Sequence, residues 1–217
     1  MTLVALSFIM AFCSLCYNFI FTHLLAATLG SSTANYCLGI GLYVFSLGLS
    51  SIYFDSIRKK ISWLFLIRLE LYISLTAILG CLWILALDFY RQPNFIFFKI
   101  LYYLPIVILG ALSGLELPSL LYMNKKNKFQ NLIISSDYIG MSAVCISFAV
   151  IAVPYLGLVA TLIAGVSLNL VSLVILVLLK KEQHLALLCS ILSACITSFF
   201  FSPQIETLVR SVYLSAS

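Results

Sequence analysis

Residues 1–54 read MTLVALSFIMAFCSLCYNFIFTHLLAATLGSSTANYCLGIGLYVFSLGLSSIYF, without one Asp, Glu, Lys or Arg. A helix needs about 20 apolar residues to cross the hydrocarbon core of a bilayer. This stretch is long enough for two crossings, and Gly30-Ser31-Ser32 breaks it near its middle. It reads as a membrane hairpin. A second charge-free run, Tyr138–Leu179, has its breaker at Pro154-Tyr155-Leu156-Gly157 and reads the same way. Across all 217 residues, 63% are hydrophobic and 9% charged, with a mean hydropathy of +1.16. Soluble domains carry about a quarter charged residues. This chain lacks the polar side chains to cover a water-facing surface, so lipid must be its solvent.

Runs and breakers predict an all-α, polytopic transmembrane helical bundle of about seven spans. They lie near Leu3–Leu29, Tyr36–Tyr53, Ile61–Leu87, Phe95–Met123, Leu132–Val153, Leu158–Leu179 and Leu185–Phe201. The bundle occupies residues 1–203, and a short tail follows over 204–217. Basic residues gather in alternate loops: Arg58, Lys59 and Lys60; Lys125, Lys126 and Lys128; Lys180 and Lys181. The positive-inside rule places these loops in the cytoplasm and the N-terminus inside, in a bacterial inner membrane. The net charge of +5 follows mainly from those loops. It gives no reason to expect nucleic acid, because no soluble basic face exists. A cleaved signal peptide is not expected, since no basic residue precedes Leu3 and the apolar run continues too far.

Four ionisable residues fall inside expected spans, where each is a candidate for function. Arg68 and Glu70 lie seven and nine residues into the third span. Glu116 lies seven residues from Met123, which is ~10 Å at 1.5 Å per helical residue. Asp137 lies five residues into the fifth span. All four depths fall in one layer of the cytoplasmic half. Two readings are open. Arg68 pairs with Glu116 or Asp137 and ties three spans together, or the acidic excess forms a polar site for a cation or a proton. Beside this layer, Gly110 and Gly114 form a GxxxG pattern suited to close helix approach. Pro118 removes a backbone donor and frees the Gly114 carbonyl next to Glu116.

Other polar features carry less. The seven cysteines all sit in apolar runs, and Cys13-x-x-Cys16 has no second pair or His pattern, so they read as small packing residues. His23 reads as a packed, hydrogen-bonded residue. Tyr36, Tyr53, Trp63, Tyr90 and Tyr155 suit an interfacial belt. The sequence shows no nucleotide loop, nucleophile elbow or metal-ligand set, so neither cofactor, metal nor catalytic residue is expected.

Several segments in order resemble a known family. They are Cys16-Tyr17-Asn18-Phe19-Ile20, Gly41–Ser51, Arg68-Leu69-Glu70-Leu71, Gly110–Pro118, Asp137-Tyr138-Ile139-Gly140 and Tyr155–Thr161 with Gly165 and Asn169. Together they resemble the membrane region of membrane-bound spermidine synthases, the polyamine aminopropyltransferases. The chain departs from that pattern at Asn18, where the family usually has Glu. It also reaches Ile205–Tyr213 about where the family's transferase domain begins, so transferase activity is not expected. The resemblance implies a polyamine as the cation, held by Glu116, Asp137 and Glu70 with Arg68 setting the field. Gly110, Gly114, Pro118, Tyr138 and Gly140 would then serve packing. The expected partners are the lipid bilayer, a small cationic substrate and, on the alternative reading of a membrane scaffold, a separate docked protein.

Overall fold

The computed structural model describes residues 2–30, 33–58, 61–89, 96–124 and 129–180. The described residues are almost wholly helical, with no strands. The helices are α1 (Thr2–Leu29), α2 (Thr33–Ile57), α3 (Trp63–Phe89), α4 (Ile96–Ser113), α5 (Glu116–Met123), α6 (Gln130–Ser147) and α7 (Gly157–Lys180). A π-helical segment, Phe148–Leu156, continues α6.

Local chemistry explains the boundaries. Ser62 caps α3, its hydroxyl accepting from the Phe65 N–H at 3.2 Å. The α4–α5 break is a turn at Gly114-Leu115, where the Leu115 N–H bonds the Leu112 carbonyl at 3.0 Å. Pro118 lies in the first turn of α5, where a missing N–H costs least. Pro154 does not end its helix. The ring is absorbed in the widened π segment, and the chain turns at Gly157, whose φ of 76° suits only glycine.

Five stretches are long and apolar enough to cross a membrane: Thr2–Leu29, Thr33–Ile57, Trp63–Phe89, Lys99–Met123 and Gln130–Val177. Among the described residues, the first six expected spans overlap these five stretches. The expected fifth and sixth spans fall within one 48-residue stretch. Straight, that stretch would measure ~72 Å, more than twice a bilayer core of ~30 Å. It is folded back at Gly157, so the Thr161 hydroxyl reaches the Ala152 carbonyl at 3.3 Å, nine residues away. The expected seventh span, 185–201, and the tail lie outside the described residues. Loop charge alone suggested an N-terminus inside, and no contact in the fold selects a side.

Side-chain contacts give the topology. α1 runs antiparallel to α2 and parallel to α6: Ser136 bonds the Val4 carbonyl, Gly140 abuts Phe8, and Phe148 packs on Phe19. α3 and α4 are antiparallel, joined by the Trp83 indole N–H donating to the Leu101 carbonyl at 3.0 Å. Arg58 lies over the Tyr122 ring, so the ends of α2 and α5 share one end of the bundle. α1 is central and touches every other helix. α2 is peripheral, burying Gly39, Tyr43, Ser46 and Phe54 and exposing Phe45, Leu49, Ile52 and Tyr53.

Candidate functional site

α1 is enclosed by protein, and its polar residues fall in register with the carboxylates of its neighbours. Glu70 on α3 is fully buried, and Glu116 at the start of α5 and Asp137 on α6 are nearly so. The three helices bring them to one layer. Glu70 faces Glu116 and Asn169. Glu116 also faces Ser14 and, at longer range, Asp137. Both Glu70 oxygens and Oε1 of Glu116 are buried without a hydrogen-bond partner. Asp137 receives a 3.5 Å contact from the Ser7 hydroxyl, but that hydroxyl's single proton has a shorter bond, 3.0 Å, to the Ile133 carbonyl.

Arg68 is not brought to this layer. It is exposed, while Glu70 two residues later is buried. Two helical residues turn through about 200°, so one of the pair must face out when the other faces in. An Arg68 tie between spans is therefore absent. A buried carboxylate left without a partner is costly, and here the guanidinium is on the wrong face.

The remaining expected residues sort clearly. Gly110 and Gly114 face α2: a methyl at Gly110 would meet the Tyr43 carbonyl at 2.6 Å, and one at Gly114 would overlap the Leu47 carbonyl. Gly140 meets the Phe8 carbonyl at 2.6 Å, closing α6 on α1. Pro118 sits beside Glu116 in the first turn of α5. Tyr138 is 62% exposed and points out of the bundle. Cys13 donates to the Gly165 carbonyl at 3.6 Å, and Cys16 is buried beside it on α1. His23 lies edge-on to Phe148 at 6.4 Å.

Sequence reasoning missed the neutral groups that surround the carboxylates. Asn169 on α7 donates to Ser74 at 2.9 Å, forming a buried bridge from α7 to α3, and the Ser172 hydroxyl lies 3.0 Å from its Oδ1 while bonding the Asn169 carbonyl at 2.7 Å. Tyr17 and Tyr43 are fully buried, and neither hydroxyl has a hydrogen-bond partner. Asn18 is fully buried with both side-chain polar atoms unpartnered. The available signal was the spacing of Ser7, Ser14, Asn18 and Thr22. Steps of seven, four and four keep one helical face.

Comparison with known proteins finds larger relatives. A polyamine aminopropyltransferase of Leptospira interrogans is 32% identical over 157 residues, covering 70% of this chain. Polyamine aminopropyltransferase 2 of Ralstonia nicotianae is 29% identical over 164 residues, covering 73%. The chain is a relative of the polyamine aminopropyltransferases. The aligned part is 30% of the Leptospira protein's length and 32% of the Ralstonia protein's. The named activity of those aminopropyltransferases therefore belongs to proteins of which this chain matches about a third. No family model matches the chain, and no solved structure matches it.

Proposed function

We propose that the chain is a membrane-embedded bundle that binds and moves a small organic cation, with a polyamine as the substrate class. The observation that carries this is Glu70, fully buried against Glu116 with both oxygens lacking a donor. Two carboxylates in contact away from water repel, and neither is stable there without a compensating charge or proton. An ammonium supplies that charge and three N–H donors to unpartnered acceptors. The names of the relatives point to polyamines as the amine. Glu116 and Glu70 hold one ammonium, and Asp137 offers a second acceptor nearer the end of α6. Arg68, facing outward, takes no direct part.

Two cavities lined by described residues lie elsewhere, between α6 and α7 and between α3 and α4. In this reading, loading the layer uses a movement of α5. The break at Gly114-Leu115 leaves α5 a separate eight-residue helix, and Glu116 is its first residue. A hinge there swings Glu116 away from Glu70 without unfolding α4. In this reading the end marked by Arg58 faces the cytoplasm, and the apolar sequence 185–201 supplies a seventh span in a bacterial inner membrane.

Uptake of labelled spermidine and putrescine into proteoliposomes tests the proposal. Wild-type protein is expected to raise uptake above empty vesicles, and Glu116→Gln with Asp137→Asn to remove it. Uptake that survives the double substitution overturns the reading. A second reading, a scaffold that docks a separate protein, draws on the alignment of this chain with one part of larger relatives. A stoichiometric partner copurified from native membrane, with no effect of polyamines on the bundle, favours it.

A further inference from the structure

Four polar residues of α1 form a column on one face: Ser7, Ser14, Asn18 and Thr22, each at most 1% exposed. Ser7 to Thr22 spans fifteen residues, ~22 Å, which is most of a ~30 Å hydrocarbon core. At one end Ser7 touches Asp137. Ser14 lies beside Glu116, and the Tyr43 hydroxyl lies near Ser14 and Ser113 without bonding either. At the other end Thr22 donates to the Asn18 and Phe19 carbonyls at 3.0 Å, leaving its oxygen free to accept, and Tyr36 reaches toward it from α2. Asn18 stands midway. Its amide N–H and its oxygen are both unpartnered, at a position with no exposure.

Buried polar groups in native proteins are almost always hydrogen-bonded. An unpartnered donor and acceptor on one buried amide are the pair that holds an inserted water, which needs both. We propose that this column is a proton path joining the Glu116–Asp137 layer to the Tyr36 end of the bundle, with Asn18 positioning water at its midpoint. Ser7, Ser14 and Thr22 donate to backbone carbonyls at rest, so each hydroxyl turns its proton into the column as it accepts one and passes another on to water, and nothing is consumed. Asn18 transfers no proton itself. A proton fits better than an amine because Asn18 offers water a donor and an acceptor but offers an ammonium no charge. The inference shares the carboxylate layer and membrane residence with the proposed function, but it requires no amine.

The test is proton flux into proteoliposomes carrying an internal pH-sensitive dye, driven by a potassium diffusion potential, with no polyamine present. Wild-type protein is expected to acidify the lumen at least tenfold faster than protein-free vesicles. Asn18→Leu should return the rate to that baseline. Asn18→Ser, which keeps a donor and an acceptor, should restore at least a third of it, and exposed Ser142→Ala should leave it unchanged. Restoration by serine separates water positioning from a loss of packing. Wild-type flux at the baseline, or Asn18→Leu flux equal to wild type, overturns the path. Spermidine uptake is read in separate vesicles, so failure of amine binding and failure of proton conduction are distinguishable.

Discussion

Two interfaces of this bundle use opposite chemistry. Between α2 and α4 the backbones meet at Gly110 and Gly114, against the carbonyls of Tyr43 and Leu47. The Ser46 and Ser50 hydroxyls there bond the Tyr43 and Leu47 carbonyls at 2.9 and 3.0 Å, while the unpartnered Tyr43 and Ser113 hydroxyls lie toward Ser14 of α1. Between α1, α3 and α5 the reverse holds. Glu70, Glu116, Tyr17 and Asn18 are buried with polar atoms left unpartnered. In the proposed lipid setting no hydrophobic force draws helices together, so close packing of small residues supplies the association. The α2–α4 contact does this. It lets the α1–α3–α5 contact carry buried polar groups without partners.

The largest expected effect breaks the first interface. Gly114→Leu places a side chain in the Leu47 carbonyl and should cost about 3 kcal/mol, at the upper end of overpacking penalties. Loss of a monodisperse peak in detergent reads it. Gly41→Leu, with nothing within 4 Å of its added carbon, should behave as wild type and serves as its pair.

At the second interface, stability and binding should move in opposite directions. Glu70→Leu removes an unpartnered buried carboxylate and should raise stability by about 1–3 kcal/mol. It should also weaken spermidine binding at least tenfold. A thermal melt with a titration on the same sample reads both, and a drop in stability would mean that Glu70 has a partner in the membrane.

Asn169→Ala comes next. It cuts the Ser74–Asn169 bridge and should cost about 1–2 kcal/mol, the usual range for orphaning buried partners. Its melting temperature should fall without the tenfold loss of binding expected for Glu70→Leu. Arg68→Gln should do least, within about 0.5 kcal/mol in stability and with unchanged binding, because the side chain is exposed. A large loss of spermidine binding in that variant would return Arg68 to the layer and erase the contrast with Glu70.

Much of the architecture was legible before any coordinates. Charge-free runs longer than one span, and breakers at Gly30 and Pro154–Gly157, determine helical hairpins because a bilayer permits few other ways to satisfy the backbone. Counting turns placed Glu70, Glu116 and Asp137 at one expected depth, whereas in the fold Glu116 lies beside Ser14 and Asp137 beside Ser7, seven residues apart on α1. The glycines mark close approach in the sequence, but not which helix approaches. A π segment carries the helix through Pro154, and the chain turns back at Gly157, the last residue of the expected breaker.

Depth along a helix is a one-dimensional quantity, and the sequence determines it through the 1.5 Å rise per residue. Direction around a helix depends on where the neighbours stand. α1 and α2 are both charge-free apolar helices, yet only α1 is enclosed. Likewise Arg68 and Glu70 share a depth, and only the packing of α3 against α1, α5 and α7 turned the carboxylate inward and the guanidinium out. Helix identity and depth along each helix were therefore settled by the chain itself. Which polar groups meet, and which are left without partners, was decided by tertiary packing.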